Sequence, residues 1–252
     1  MPRGNIGRIE HPPRHCEIKN ATCFRKNTKL CRRYSMKPNH HPNSALLMAY
    51  ASGSLTEAFS LVVASHLSFC KECQQKVNDA EMIGGALIDD LEPCNVNMSS
   101  FDQILSKLDD IAQDPPAANS PSGDDEIPQP LWDYINSPLD ELNWKFLAPG
   151  LRHITINADA GKSGTVRLFK ITPGTTLPTH SHSGTELALI LRGSYSDEIG
   201  RFQQGDVADV DHDDTHQPIA DTGQECICLI ATEGPTVYQG FLNRVLQPIH
   251  GI

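Results

Sequence analysis

Residues 114–130, DPPAANSPSGDDEIPQP, divide the chain into two parts whose hydrophobic periods differ. Five prolines and an acidic cluster offer nothing that could build a core, so the segment reads as an extended linker. Before it, apolar residues recur at helical spacing. After it come short strand-like runs, RHITIN, TVRLFKI, ELALIL, DVADV and CICLIA, separated by Gly and Pro clusters. The expected architecture is therefore multidomain: an N-terminal all-α block over 40–113, the linker, and a C-terminal all-β sandwich or small barrel over 131–245. Residues 1–39 form a separate basic extension.

Four helices are expected in the first block. NSALLMAYASG has Asn43 or Ser44 to cap its start and Gly53 to end it. LTEAFSLVVASHLSFC follows, with Thr56 at its N-cap. A third helix runs from about Lys71 to Leu91 and stops before Pro93; Gly84 and Gly85 weaken it, at about 1 kcal/mol each against Ala. The fourth, SSFDQILSKLDDIA, starts at Ser99 or Ser100 and carries Phe101, Ile104, Leu105, Leu108 and Ile111 on one face.

Charge separates head from body. Residues 1–39 hold ten Lys/Arg against two Asp/Glu, and the remainder holds eleven against twenty-nine, within a net charge of −10. An acidic body is a poor ligand for phosphate backbones, so direct nucleic-acid binding is not expected; a basic protein partner suits it better. No secretory h-region and no apolar run of membrane-spanning length is present, which points to a cytoplasmic protein without membrane contact. The head carries Cys16, Cys23, Cys31, His11 and His15 without a compact C-x2-C pair, and is expected to be disordered. Met36 directly precedes the organised part, so residues 1–35 read as an upstream extension.

Eight cysteines in a cytoplasmic setting favour metal or redox chemistry over disulfides. In the helical block His66, Cys70 and Cys73 form H-x3-C-x2-C. At the helical 100° per residue the three fall on one narrow stripe. Structural zinc is tetrahedral and needs a fourth ligand, for which His40 and His41 are the nearest candidates. Two thiolates and two neutral imidazoles would leave the site uncharged, which favours its burial. A thioredoxin-type redox pair is disfavoured, because no βαβ context surrounds it.

The strand block holds a second group: His180, His182 and Glu186, followed by Gly193, and then His216 with His212 as its rival. Positions i and i+2 of a strand share a face, so His180 and His182 point the same way. Cys226 and Cys228 share a face by the same rule and are read as barrel core; Cys94 has no evident role.

HHPNSALLMAYASGSLTEAFSLVVASHLSFCKEC resembles the zinc-binding anti-sigma domain, in particular that of ChrR-type anti-sigma factors. The resemblance implies that His41, His66, Cys70 and Cys73 bind one zinc. It also implies that the helices hold an extracytoplasmic-function sigma factor away from RNA polymerase core. PGTTLPTHSHSGTELALILRGSY with GDVADVDHDDTHQP is similar to the cupin double motif, which implies a double-stranded β-helix with His180, His182, Glu186 and His216 around zinc or another divalent metal such as Fe, Mn or Ni. Asp211 and Asp213 stand where Pro and Gly are common in that motif. ChrR-type factors carry both parts in this order, which implies a sensor of singlet oxygen or peroxide-type oxidants. The alternative is a cupin dioxygenase or isomerase with a helical assembly domain. The sequence does not define the oligomeric state.

Overall fold

The computed structural model describes residues 37–108, 126–158, 164–234 and 236–238. The readings placed on the basic head, Ile111, residues 114–125 of the linker and the end of the 131–245 block lie outside the described residues.

Among the described residues, five helices and twelve strands follow in chain order. Helix α1 spans Ser44–Ala51; Asn43 sits at its N-cap in extended conformation and accepts the Leu46 N–H at 3.0 Å, the bond expected of a good cap. Gly53, at φ +68°, carries the chain out of it. Helix α2 spans Glu57–Leu67. Thr56 is at its N-cap, but its hydroxyl makes no capping bond and is buried without a partner. Helix α3 spans Lys71–Asp89. Helix α4 begins at Met98 and reaches Leu108; Asn97, one position upstream of the start, accepts the Ser99 N–H, so neither Ser99 nor Ser100 is its cap.

Composition alone carries the linker through residue 130, and the structure ends it sooner. Ile127 is buried, and a short helix α5, Gln129–Ile135, already includes the last two linker residues. Pro130 in its first turn is compatible with helix, because that N–H has no intrahelical partner to lose. Leu131 anchors α5 in the core. Arg192 fastens the segment further, donating to Glu126 at 2.8 Å, Asp140 at 2.6 Å and Glu225 at 2.7 Å.

The strands are β1 Lys145–Ala148, β2 Leu151–Ile156, β3 Thr165–Ile171, β4 His180–His182, β5 Glu186–Arg192, β6 Ser194–Ser196, β7 Arg201–Gln203, β8 Val207–Val210, β9 Thr215–His216, β10 Ile219–Ala220, β11 Cys226–Thr232 and β12 Thr236–Tyr238. All pairings are antiparallel. The largest sheet has the order β1-β2-β3-β11-β5-β8; two three-stranded sheets, β10-β6-β7 and β12-β4-β9, form the rest.

The six-stranded sheet is covered on both faces. Along β5, Leu187, Leu189 and Leu191 join Ile227 and Leu229 of β11 and Leu168 of β3 in one core, and that core continues into Phe59, Leu61, Val62 and Val63 of α2. The alternate residues Ala188, Ile190, Cys226 and Cys228 face the other way, with Ile171, Tyr195 and Phe202. The two-residue period of a strand thus divides the sheet between a helical neighbour and the barrel interior. Among the described residues no helix is long and apolar enough to cross a membrane.

Candidate metal centres

The helical centre is assembled across a helix break. A single stripe on one continuous helix, as the spacing suggests, does not form. α2 ends at Leu67, and Cys70 (φ −116°, ψ 103°) is the extended N-cap of α3. His66 lies in the last turn of α2, Cys70 at the cap and Cys73 in the first turn of α3. Cys70 Sγ accepts the Cys73 N–H at 3.4 Å, as a capping side chain does. The break leaves the ligands close because the intervening turn returns the chain: Cys70 N–H donates to the His66 carbonyl at 3.0 Å.

His41 completes the group. Its Nδ1 lies 3.4 Å from both Cys70 Sγ and Cys73 Sγ, and His66 Nε2 lies 3.3 Å from Cys73 Sγ. Zn–S bonds of about 2.3 Å and Zn–N bonds of about 2.05 Å at tetrahedral angles put S and N roughly 3.5 Å apart, so this spacing suits a tetrahedral ion. Cys70, Cys73 and His66 are buried. Burial lowers the His66 pKa to about 4, keeping the ring neutral and able to ligate. Burial, followed by the neighbouring Cys70, pushes the Cys73 thiol up to about 12, so a cation is needed to hold its thiolate at neutral pH. His40 is outside the group; its ring lies against Phe202, 4.4 Å between centroids, with Nδ1 3.4 Å from Asp206 Oδ2.

The second centre is inside the barrel. β4 supplies His180 and His182, β5 opens with Glu186, and His216 on β9 stands in register with His180. All four are buried, and donor atoms from each lie within 4.8 Å of one another. Their tautomers follow from their outer partners. His180 Nδ1 faces the Pro178 carbonyl at 2.8 Å and must donate to it; His216 Nδ1 donates to Asp197 Oδ2 at 2.9 Å. Both Nε2 atoms then present lone pairs, 3.0 Å apart, with His182 Nε2 at 3.2 Å from that of His216. Such an arrangement is repulsive unless a cation lies among them. Metal–N bonds of about 2.1 Å separate neighbouring nitrogens by roughly 3.0–3.4 Å, so the residues fit a divalent ion without choosing which.

Glu186 supports the same conclusion. Burial raises its carboxyl to about 7, with His216 opposing the shift, so a cation bound beside it would favour the ionised form. Burial lowers His180 to about 4 and His182 to about 3. His182 Nδ1 has no hydrogen-bond partner and stands 3.4 Å from Glu186 Oε2. A cavity of about 360 Å³ opens over His180, Glu186 and His216, walled by Phe169, Ile171, Ala188, Tyr195 and Ile230.

His212 is exposed and groups with Asp211 and Asp213, away from the barrel interior. The acidic residues that replace Pro and Gly before His216 build the turn themselves: Asp211 accepts from Asp213 N–H and Asp214 from Asp211 N–H. Cys226 and Cys228 are buried. The Cys228 thiol is held well above its usual value by a hydrogen bond with the Cys226 thiol and by burial, the opposite of an oxidant-reactive cysteine. Asp197 is a site residue that sequence reasoning missed. Its contact with His216 spans nineteen positions, and no local motif signals it.

The chain is similar to known proteins. A family model described as the ChrR cupin-like domain matches residues 135–235. The anti-sigma-E factor ChrR of Cereibacter sphaeroides is 38% identical over 217 residues, covering 86% of this chain and 100% of that protein. Among solved structures, Rhodobacter sphaeroides SigE in complex with the anti-sigma ChrR matches with a TM-score of 0.69 at 37% identity, over 78% of this chain and 99% of that one. The alignment takes in the helical block and the barrel together, and a relationship of that extent settles membership: this chain belongs to the ChrR family of anti-sigma factors.

Proposed function

We propose that this chain sequesters an extracytoplasmic-function sigma factor through its helical domain and releases it when the cupin domain registers an oxidant. Within that reading His41, His66, Cys70 and Cys73 hold one structural zinc. His180, His182, Glu186 and His216 hold zinc or another divalent metal in the sensing domain. A division into a helical domain from residue 40, a Pro-rich connection that ends before Ile127, and a barrel domain that includes α5 belongs to the same proposal, as does the cytoplasmic setting, since a sigma factor works where RNA polymerase does. The enzyme alternative yields to a family of regulatory binding proteins.

One observation carries the reading. Phe101, Ile104, Leu105 and Leu108 follow i, i+3, i+4, i+7 spacing along α4 and are 45–65% exposed. Met82, Leu87 and Ile88, in the outer half of α3, are 67–73% exposed. Amphipathic helices with uncovered apolar faces are built to be covered, and a second protein supplies the cover. One solved structure that this chain matches holds SigE in complex with the anti-sigma ChrR.

The test is co-purification with the host's sigma factors, with metal content measured on the complex. Leu105→Asp places a charge in the middle of the α4 face and should weaken the complex at least tenfold, leaving metal content unchanged. A Leu105→Asp protein that holds its sigma factor at full affinity would remove α4 from the interface. Failure of the unaltered chain to retain any sigma factor would remove the function.

A further inference from the structure

The helical metal centre is finished by the barrel. Gly205, in the turn between β7 and β8, accepts a hydrogen bond from His66 Nδ1 at 2.8 Å through its carbonyl oxygen. That contact fixes the tautomer of His66 and leaves Nε2 for the thiolate side of the site. Gly205 has φ +88°, and a Cβ there would stand 3.1 Å from Pro38 and 3.3 Å from Phe69. The position therefore needs glycine twice over, for its backbone angle and for the closeness of the helical block.

The neighbouring Asp206 holds the other histidine's segment. Its carboxylate is fully buried. Oδ1 accepts the N–H groups of Asn39 at 2.6 Å and His40 at 3.1 Å, while Oδ2 accepts that of Gln203 at 2.9 Å. Val207 N–H returns a bond to the His40 carbonyl at 3.2 Å. Two residues on, Asp209 accepts from both the backbone and side-chain nitrogens of Asn43 at 2.9 Å. Residues 39–43, with His41 at their centre, are thereby tied to a barrel turn more than 160 positions away.

We propose that Asp206 and Gly205 are positioning residues of the helical metal centre, and that metal retention in the helical domain depends on the conformation of the β7–β8 turn. The inference rests on the reading of His41, His66, Cys70 and Cys73 as a metal site. β8 pairs with β5 through Val210 and Glu186, so the same strand leads from this turn to a ligand of the second centre. A change at the cupin metal thus has a short covalent and hydrogen-bonded path to the grip of the helices. The coupling must be reciprocal: metal in the helical centre should steady the turn as much as the turn steadies the metal.

The experiment uses the full chain loaded with zinc, and follows transfer of zinc to a chromogenic chelator. Cys73→Ser identifies the phase that belongs to the helical centre. If the unaltered chain lacks that phase, the site reading fails and the inference with it. With the phase present, Asp206→Ala should release helical zinc about 10–100-fold faster, the range found when an outer partner of a ligand is lost. Asp206→Asn keeps an acceptor oxygen and should fall between. The cupin phase should stay unchanged in both, which also shows that the barrel remains folded. Cobalt substitution supplies a readout that a purely structural role would not move: the ligand-field bands of the thiolate site should shift in Asp206→Ala. Unchanged release and unchanged bands in both variants, whatever their melting temperatures, overturn the proposal.

Discussion

Glu186 offers the sharpest quantitative test of the barrel site, because its protonation and metal binding exclude each other. Burial raises its carboxyl from 4.5 to about 7 in the metal-free protein. Below that value a metal must displace a proton to gain the carboxylate; above it the carboxylate already exists. The affinity of the unaltered chain should therefore fall, as pH drops below 7, tenfold per unit faster than that of Glu186→Gln, which has no proton to lose. Between pH 8 and pH 5.5 the ratio of the two affinities should shrink by about 30-fold, or roughly 2 kcal/mol at 1.36 kcal/mol per unit. Taking the ratio cancels whatever the histidines contribute. Competition with a chelator across that range, on protein whose helical centre is silenced by Cys73→Ser, measures it. The linkage has a second face. A carboxyl whose folded pKa is raised favours the folded state fully below its unfolded value near 4.5, and that contribution is lost as pH rises through about 7. Metal-stripped protein should accordingly lose stability relative to Glu186→Gln between pH 5 and pH 8, and added metal should reverse the loss. A ratio that stays constant with pH would refute the reasoning, for it would mean that Glu186 is either ionised without metal or no ligand at all.

Two further outcomes are expected. His180→Ala should keep its sigma factor at rest but fail to release it under oxidant, read as a sigma-dependent reporter that stays low in the variant and rises in the unaltered strain; constitutive release would make the cupin part of the clamp instead. Leu229→Ala, at a fully buried position of the core that reaches α2, should cost about 2–5 kcal/mol. Because that core is shared, barrel and helices should melt in one transition shifted downward, and separate transitions in calorimetry would contradict the shared core.

Much of the local structure was legible because its causes are local. Asn43 caps α1, the period of α4 sets its apolar face, and two histidines two apart share a strand face. The side chains of His41, His66, Cys70 and Cys73 lie together, as do those of His180, His182, Glu186 and His216, with His40 and His212 outside both groups. The stripe argument treats His66, Cys70 and Cys73 as positions on one helix, whereas the chain breaks at the boundary near Lys71 that the helix reading gave, and Cys70 acts as a cap. H-x3-C-x2-C is compatible with either geometry, and only the backbone angle at Cys70 decides between them.

The relation between the two halves was the least legible feature, though one signal of it was present. A barrel strand with one face to solvent alternates apolar and polar residues, while a strand covered on both faces does not. ELALIL and CICLIA do not alternate, and all six residues of the first and the first four of the second are buried. An unbroken apolar run in an antiparallel sheet asks what lies on its outer face. Here the answer is α2, whose Phe59, Leu61, Val62 and Val63 are buried in the same core as these strands. Each half thus buries apolar surface against the other, and the Pro-rich segment between them need only let the chain return. What no pattern could supply is the polar part of the same contact. Asp206 reads as an ordinary turn residue after Gly205, and only the fold brings it to the N–H groups beside His41. The apolar seam holds the two halves together, and the Gly205–Asp206 turn adds a specific polar hold on His66 and on the segment that carries His41.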